Sequence, residues 1–247
     1  MKTSNKILLV VLILILALGI ISSIWLRVTV FAEAVEGDGN VQQQERRLED
    51  FHKIDVAGSF KVYFTQDSIQ RIMVTADSNL MDYIQTDVVN GELKVSPRSR
   101  IRSRNLQLDI SAMELTHFKA SGGAHVFGTN LITGPELNLR GSAGSSFEME
   151  TLVERLMVRL SSGSDAMLAG QADSATFQAS SGSQVNAFDL VAQTVKVTAS
   201  SGSNLNVNAQ KELSVKASSG SDIQYMGAPF VNELNLSSGA VVQQRRR

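Results

Sequence analysis

The 247-residue chain is 43% hydrophobic and 19% charged, the balance of a folded protein rather than a disordered one. Its net charge of −1 gives no general attraction to DNA or RNA, so no nucleic-acid partner is expected. Without cysteine it can form no disulfide, no thiolate metal site and no lipoprotein anchor.

Residues 1–6 are a short basic end carrying Lys2 and Lys6, expected to stay on the cytoplasmic side. Residues 7–26 run from Ile7 to Leu26 without a charge, long enough for a helix to cross a bilayer core. This segment is expected to lead the chain across a membrane. Two outcomes stay open: an uncleaved anchor, which makes the membrane a partner through residues 7–26, or a cleaved signal, for which Ala32-Glu33-Ala34 offers a small-x-small site. Either way the remainder is expected to be extracytoplasmic, in the periplasm or on the cell surface. Residues 27–49, with Gly37, Gly39 and the run Gln42-Gln43-Gln44, read as a polar tether.

Residues 50–112 carry strand character without regularity. The stretch Asp55 to Val62 reads as a degenerate corner, and Ile72 to Thr75 and Glu92 to Val95 read as strands. They are expected to form irregular N-terminal coils and a cap.

Residues 113–247 are written in a repeat. The last glycines of successive small-residue clusters are Gly123, Gly144, Gly163, Gly182, Gly202, Gly220 and Gly239, spaced by 21, 19, 19, 20, 18 and 19 residues. A period near twenty belongs to solenoids. Five residues before each glycine stand apolar or aromatic side chains from Phe118 to Leu234, and three residues after stand others from Val126 to Val242. Around them the chain alternates with period two, so each repeat is predicted to be strand, tight corner, strand. Stacked parallel at about 4.8 Å per coil, such repeats make an all-β, single-stranded parallel β-helix. At the corner glycine supplies positive φ, while the serine pairs before it, such as Ser180-Ser181, are expected to be there because bulk would clash with its own image in the next coil. The polar end from Gln243 to Arg247 is expected to shield the last coil.

The stretches "FHKIDVAGSFKVYFTQ" at 51–66 and "LMDYIQTDVVNGELKV" at 80–95, with the serial "ASSGS" corners, resemble the bacterial family "putative auto-transporter adhesin, head GIN domain", formerly a domain of unknown function. The resemblance spans Phe51 to Val242. It implies a right-handed parallel β-helix, an extracytoplasmic location and a role in adhesion, and it carries no catalytic residue to transfer.

The residues themselves offer no enzyme either. Asp165 and Asp222, both in Gly-Ser-Asp, fall three coils apart, too far to act as a carboxylate pair. Their likeness to calcium-binding repeats fails on period. His52, His117 and His125 lie on different segments, His117 and His125 flanking the first corner, and no Ser nucleophile motif is present. No catalytic, cofactor-binding or metal residue is assigned. One cluster points to binding: Arg98, Arg100, Arg102 and Arg104 occupy alternate positions, so an extended segment would aim all four guanidinium groups one way, as a comb for anions. The expected partners are therefore an anionic envelope polysaccharide or another surface protein. The expected function is a non-enzymatic adhesin or surface-binding module. The alternatives are a self-assembling scaffold similar to bactofilins, or a glycan-active β-helix enzyme.

Overall fold

The computed structural model describes residues 34–245 and Gly19. Apart from Gly19, the apolar segment 7–26 lies outside the described residues. Among the described residues no helix is long and apolar enough to cross a membrane.

The chain is an all-β solenoid of about seven turns, and 17 of its strands join in one continuous sheet. From residue 117 onward every pairing between coils is parallel. The long strands are Ser146–Leu160, Asp165–Ala179, Gln184–Ala199 and Asn204–Ala217, each nearly a whole coil. Inward positions form ladders in the expected register. Phe118 pairs with Leu139, Val158 with Phe177, and Val197 with Val215, all buried. At about 25 cal/mol per Å² of apolar surface removed from water, such ladders supply most of the driving force, because no coil can cover its own inner face.

The coil has more bends than the predicted strand, corner, strand. In Gln184–Ala199 buried residues step by two at Val185 and Ala187, then by three to Leu190, and again by three from Ala192 to Val195. A step of three reverses which parity points inward, so the chain turns there, and its pairing with the next coil shifts register at the same places.

Each Ser-Ser-Gly corner is a type I′ turn. Ser181 and Gly182 have φ of 54° and 71°, and the Ser183 amide donates to the Ser180 carbonyl at 3.3 Å. The corner glycines are selected by backbone conformation, as expected, and not by space at their own positions: a Cβ added at Gly144, Gly163, Gly182, Gly202, Gly220 or Gly239 would meet nothing within 4 Å. The serine that stacks inside is the one after the glycine. Ser164, Ser183, Ser203 and Ser221 are buried, and the Ser183 hydroxyl accepts from the Ser180 amide at 3.0 Å and reaches the Ser180 and Leu160 carbonyls at 2.8 and 3.2 Å.

At the N-terminal end, Lys53–Ala57 and Lys61–Gln66 form the first coil beneath His117–Ser121 and His125–Gly128, with Gly58 at its corner. Glu92–Pro97 and Gln107–Ala112 stack beneath that coil. Below them the pairing turns antiparallel: Ile84–Val89 closes one ladder, and Arg71–Asp77 followed by Val41–Arg46 closes another. An edge-to-face series of Phe64, Phe118 and Phe147, with centroids 6.3 and 5.9 Å apart, crosses from cap to solenoid. The predicted tether is thus corrected over much of its length. Val35–Glu36 pairs with Ile101–Arg102, and Val41–Arg46 is a strand whose first five residues are exposed. A strand with water on both faces needs no apolar alternation.

The shielded C-terminal end is corrected as well. Phe230, Leu234 and Leu236 remain 72%, 52% and 42% exposed on the last coil. Val241–Gln244 continues as a strand beside Asp222–Met226 instead of folding over the end. Arg245 then lies over the Phe188 ring, 5.3 Å from its centroid, on the flank of the stack.

Candidate functional site

The corner ridge separates two outward walls, and the repeat fixes what each displays. On the wall after the corner, Ser146, Asp165, Gln184, Asn204 and Asp222 lie in register, followed two residues on by Glu148, Met167, Asn186, Asn206 and Gln224. This wall is rich in amides and carboxylates. On the wall before the corner, Lys119, Arg140, Arg159, Gln178 and Thr198 lie in register, with Lys216 one coil further. That wall carries a cation in three consecutive coils, from Lys119 to Arg159, and Asp55 in the coil before them.

The cations are held differently. Lys119 forms an ion pair with Asp55 at 2.7 Å. Arg159 donates to Gln178 Oε1 at 3.1 Å and to Asn138 Oδ1 at 3.3 Å. The exposed Arg140 side chain makes no hydrogen bond or ion pair among the described residues. Next to this column run Ser142, Ser161, Ser180 and Ser200, the first residues of their turns. The two columns line a groove of about 430 Å³.

Burial pushes the His117 imidazole below its ordinary value; Lys53 and Arg140 push the same way, and Glu136 opposes them. Its Nδ1 is 3.1 Å from the Thr116 hydroxyl, whereas His125 Nδ1 is 2.8 Å from the Ser146 hydroxyl. The two histidines thus face different partners on either side of the corner. Asp165 and Asp222 are separated by Gln184 and Asn204, as their three-coil spacing requires. Among the described residues no three metal-ligating side chains gather.

The arginine segment is only partly extended. Ile101–Arg102 is a strand, with bends at Arg98, Ser99 and Arg104. All four arginines are exposed, and Arg102 is engaged by Glu36 at 2.9 Å. An outward aromatic pair went unread in the sequence: Tyr63 and Phe127 stack at 5.4 Å with 22° between planes. Alternation within Val62-Tyr63-Phe64 and Val126-Phe127 was the signal, since the neighbours of each ring are inward. Tyr63 borders an open cavity of about 560 Å³ shared with Asp67, Arg71 and Asp109.

Solved structures share this architecture. A protein from Bacteroides fragilis described as a putative adhesin is 19% identical, covers 85% of this chain and 99% of its own, and superposes with a TM-score of 0.79. A protein from Parabacteroides distasonis described as a putative lipid binding protein is 19% identical, covering 87% and 100%, with a TM-score of 0.72. A putative adhesin from Parabacteroides merdae is 18% identical over 87% and 100%, with a TM-score of 0.65. At such identity these likenesses speak for the fold alone. No curated protein matches the chain. The family model "putative auto-transporter adhesin, head GIN domain" matches residues 50–229, and the chain belongs to that family.

Proposed function

We propose that the chain is a non-enzymatic, extracytoplasmic adhesin module that holds a surface polymer or protein against the outward walls of its solenoid. The observation that carries this reading is the pair of chemically distinct walls flanking the corner, each presenting side chains at a constant one-coil interval. Such a surface suits an extended partner that meets the same spacing many times over. Family membership supports the adhesive role and the location outside the cytoplasm. Arg98, Arg100, Arg102 and Arg104 are further candidate contacts for anionic envelope polysaccharide, and Arg102 also pairs with Glu36.

The test is retention of the purified chain on envelope preparations and intact cells at about 50–300 mM salt, where exposed charges are progressively screened. Samples are also assayed for new reducing ends or unsaturated sugars. Retention without shortening of the polymer is expected. Sugar release would overturn the non-enzymatic part, and failure to bind any surface would overturn the adhesive part.

A second reading, association of two copies end to end, is favoured by one observation only. The last coil leaves Phe230, Leu234 and Leu236 on an unpaired strand edge.

A further inference from the structure

We propose that the groove along the Lys119, Arg140 and Arg159 column is a binding site for a linear acidic polysaccharide, lying parallel to the solenoid axis with its carboxylates on the cations and its hydroxyls on the corner serines. The proposal rests on the surface-binding reading for its biological setting and deepens it by naming a site and a ligand class.

The groove is built from two adjacent outward columns. Lys119, Arg140 and Arg159 stand in consecutive coils, so they repeat at about 4.8 Å and span about 10 Å. Three cations and no carboxylate line the groove. Lys119 shares its charge with Asp55, and Arg159 is oriented by Gln178 and Asn138. Arg140, between them, has both faces of its guanidinium fork free of hydrogen bonds among the described residues. A fork of this kind takes a carboxylate in bidentate fashion.

The second column separates a saccharide from other polyanions. Ser142, Ser161, Ser180 and Ser200 carry hydroxyls that make no hydrogen bond within the protein among the described residues. Gln178 and Thr198 continue the cation column with neutral polar groups. A cation in three consecutive coils beside a hydroxyl in four matches a polymer that carries both carboxylates and hydroxyls. A nucleic acid would call for stacking platforms, and no aromatic ring lines the groove. An extended peptide would add to a sheet edge, but the groove crosses strands whose backbone groups are already paired between coils.

The experiment uses the purified chain and defined probes: oligogalacturonates of one, three and six sugars, a neutral glucan hexamer and inorganic polyphosphate. The hexauronate is expected to bind and the monomer to bind at least about tenfold more weakly, because a single sugar meets one coil. The neutral hexamer is expected to bind at least about tenfold more weakly as well. Arg140→Ser with Arg159→Ser should lower hexauronate affinity by about tenfold or more. Arg47→Ser with Lys211→Ser removes the same charge at exposed positions outside the groove and should change it less than about twofold. Arg140→Ser alone, which removes no internal hydrogen bond, gives the same reading if the pair disturbs folding.

Equal losses in the two charge-matched pairs would overturn the site. Polyphosphate binding as tightly as the hexauronate, with the same dependence on Arg140, would overturn the saccharide assignment. Unchanged retention of the Arg140 and Arg159 variant on envelope preparations would sink this site while leaving adhesion itself standing.

Discussion

The amide of Gly182 donates to the carbonyl oxygen of Ser201 across 3.0 Å, so one corner is hydrogen-bonded to the next. The bond forms only when Gly182 and Ser201 both hold left-handed backbone, at φ of 71° and 52°. Replacing Gly182 by Val is expected to cost about 1–2 kcal/mol by forcing a β-branched residue into that region, with no clash to add. Ser181→Asn, which turns the corner into Asn-Gly, should instead stabilise by about 0.5 kcal/mol. Thermal melts of the two variants must move in opposite directions. Gly170→Ala is a different case, because its Cβ would run into the Thr151 carbonyl oxygen, and it should be the most damaging of the three.

Ser183→Ala tests the buried serine ladder. Its hydroxyl satisfies the Ser180 amide and is itself held by main-chain carbonyls in its own corner and the coil before. Removing it leaves a polar group of the turn without its partner inside the stack. A loss of about 1–3 kcal/mol is expected in denaturant titration. Ser181, one position earlier than the corner glycine and exposed, should tolerate Ala far better in its contacts, with only its backbone conformation at stake.

His117 gives a pH signature. Its folded-state value is depressed, chiefly by burial, with Lys53 and Arg140 adding to the effect. The unfolded chain therefore takes up the proton first as pH falls. Stability present above the ordinary histidine value is lost on descending through it toward the lower folded value. His117→Gln should flatten that loss between about pH 7 and 5. In a titration followed by NMR, Arg140→Ser should move the His117 midpoint upward. No movement would show that the Arg140 charge does not reach this wall.

The exposed last coil makes association measurable. Leu234→Lys combined with Leu236→Lys is expected to abolish any concentration-dependent self-association in sedimentation experiments. The melt should fall only modestly, since both side chains are already about half in water. A parent chain that stays monomeric at all concentrations would end the end-to-end reading.

The solenoid register was legible because its inward ladders obey period two for long runs. Val197 and Val215 sit opposite each other as their distances from Gly202 and Gly220 require. What escaped reading lacked that signal. Val41–Arg46 is wet on both faces, so no alternation marks it as a strand. Ser183 sits in a polar cluster, where only the turn geometry reveals that it points inward. The alternate arginines suggested a continuous comb, but bends at Arg98, Ser99 and Arg104 interrupt the extension that the pattern assumed. The cation column was readable in principle, since Lys119, Arg140 and Arg159 each stand four residues before a corner glycine. Local charge spacing does not show it, because a solenoid gathers charges one period apart.

The junction between cap and solenoid also sets the order in which the chain can assemble. Phe118 meets Leu139 after 21 residues, but its other neighbour in the ladder, Ile54, lies 64 residues upstream. Adding a coil closes a short loop, whereas seating the stack on its base closes a long one and must first arrange five other strands between residues 71 and 112. Growth away from the base is therefore stepwise and local, while the base itself forms or dissolves as a single cooperative unit. Under load or heat the molecule should fray coil by coil from its C-terminal end, and the grooved middle should outlast the open tip.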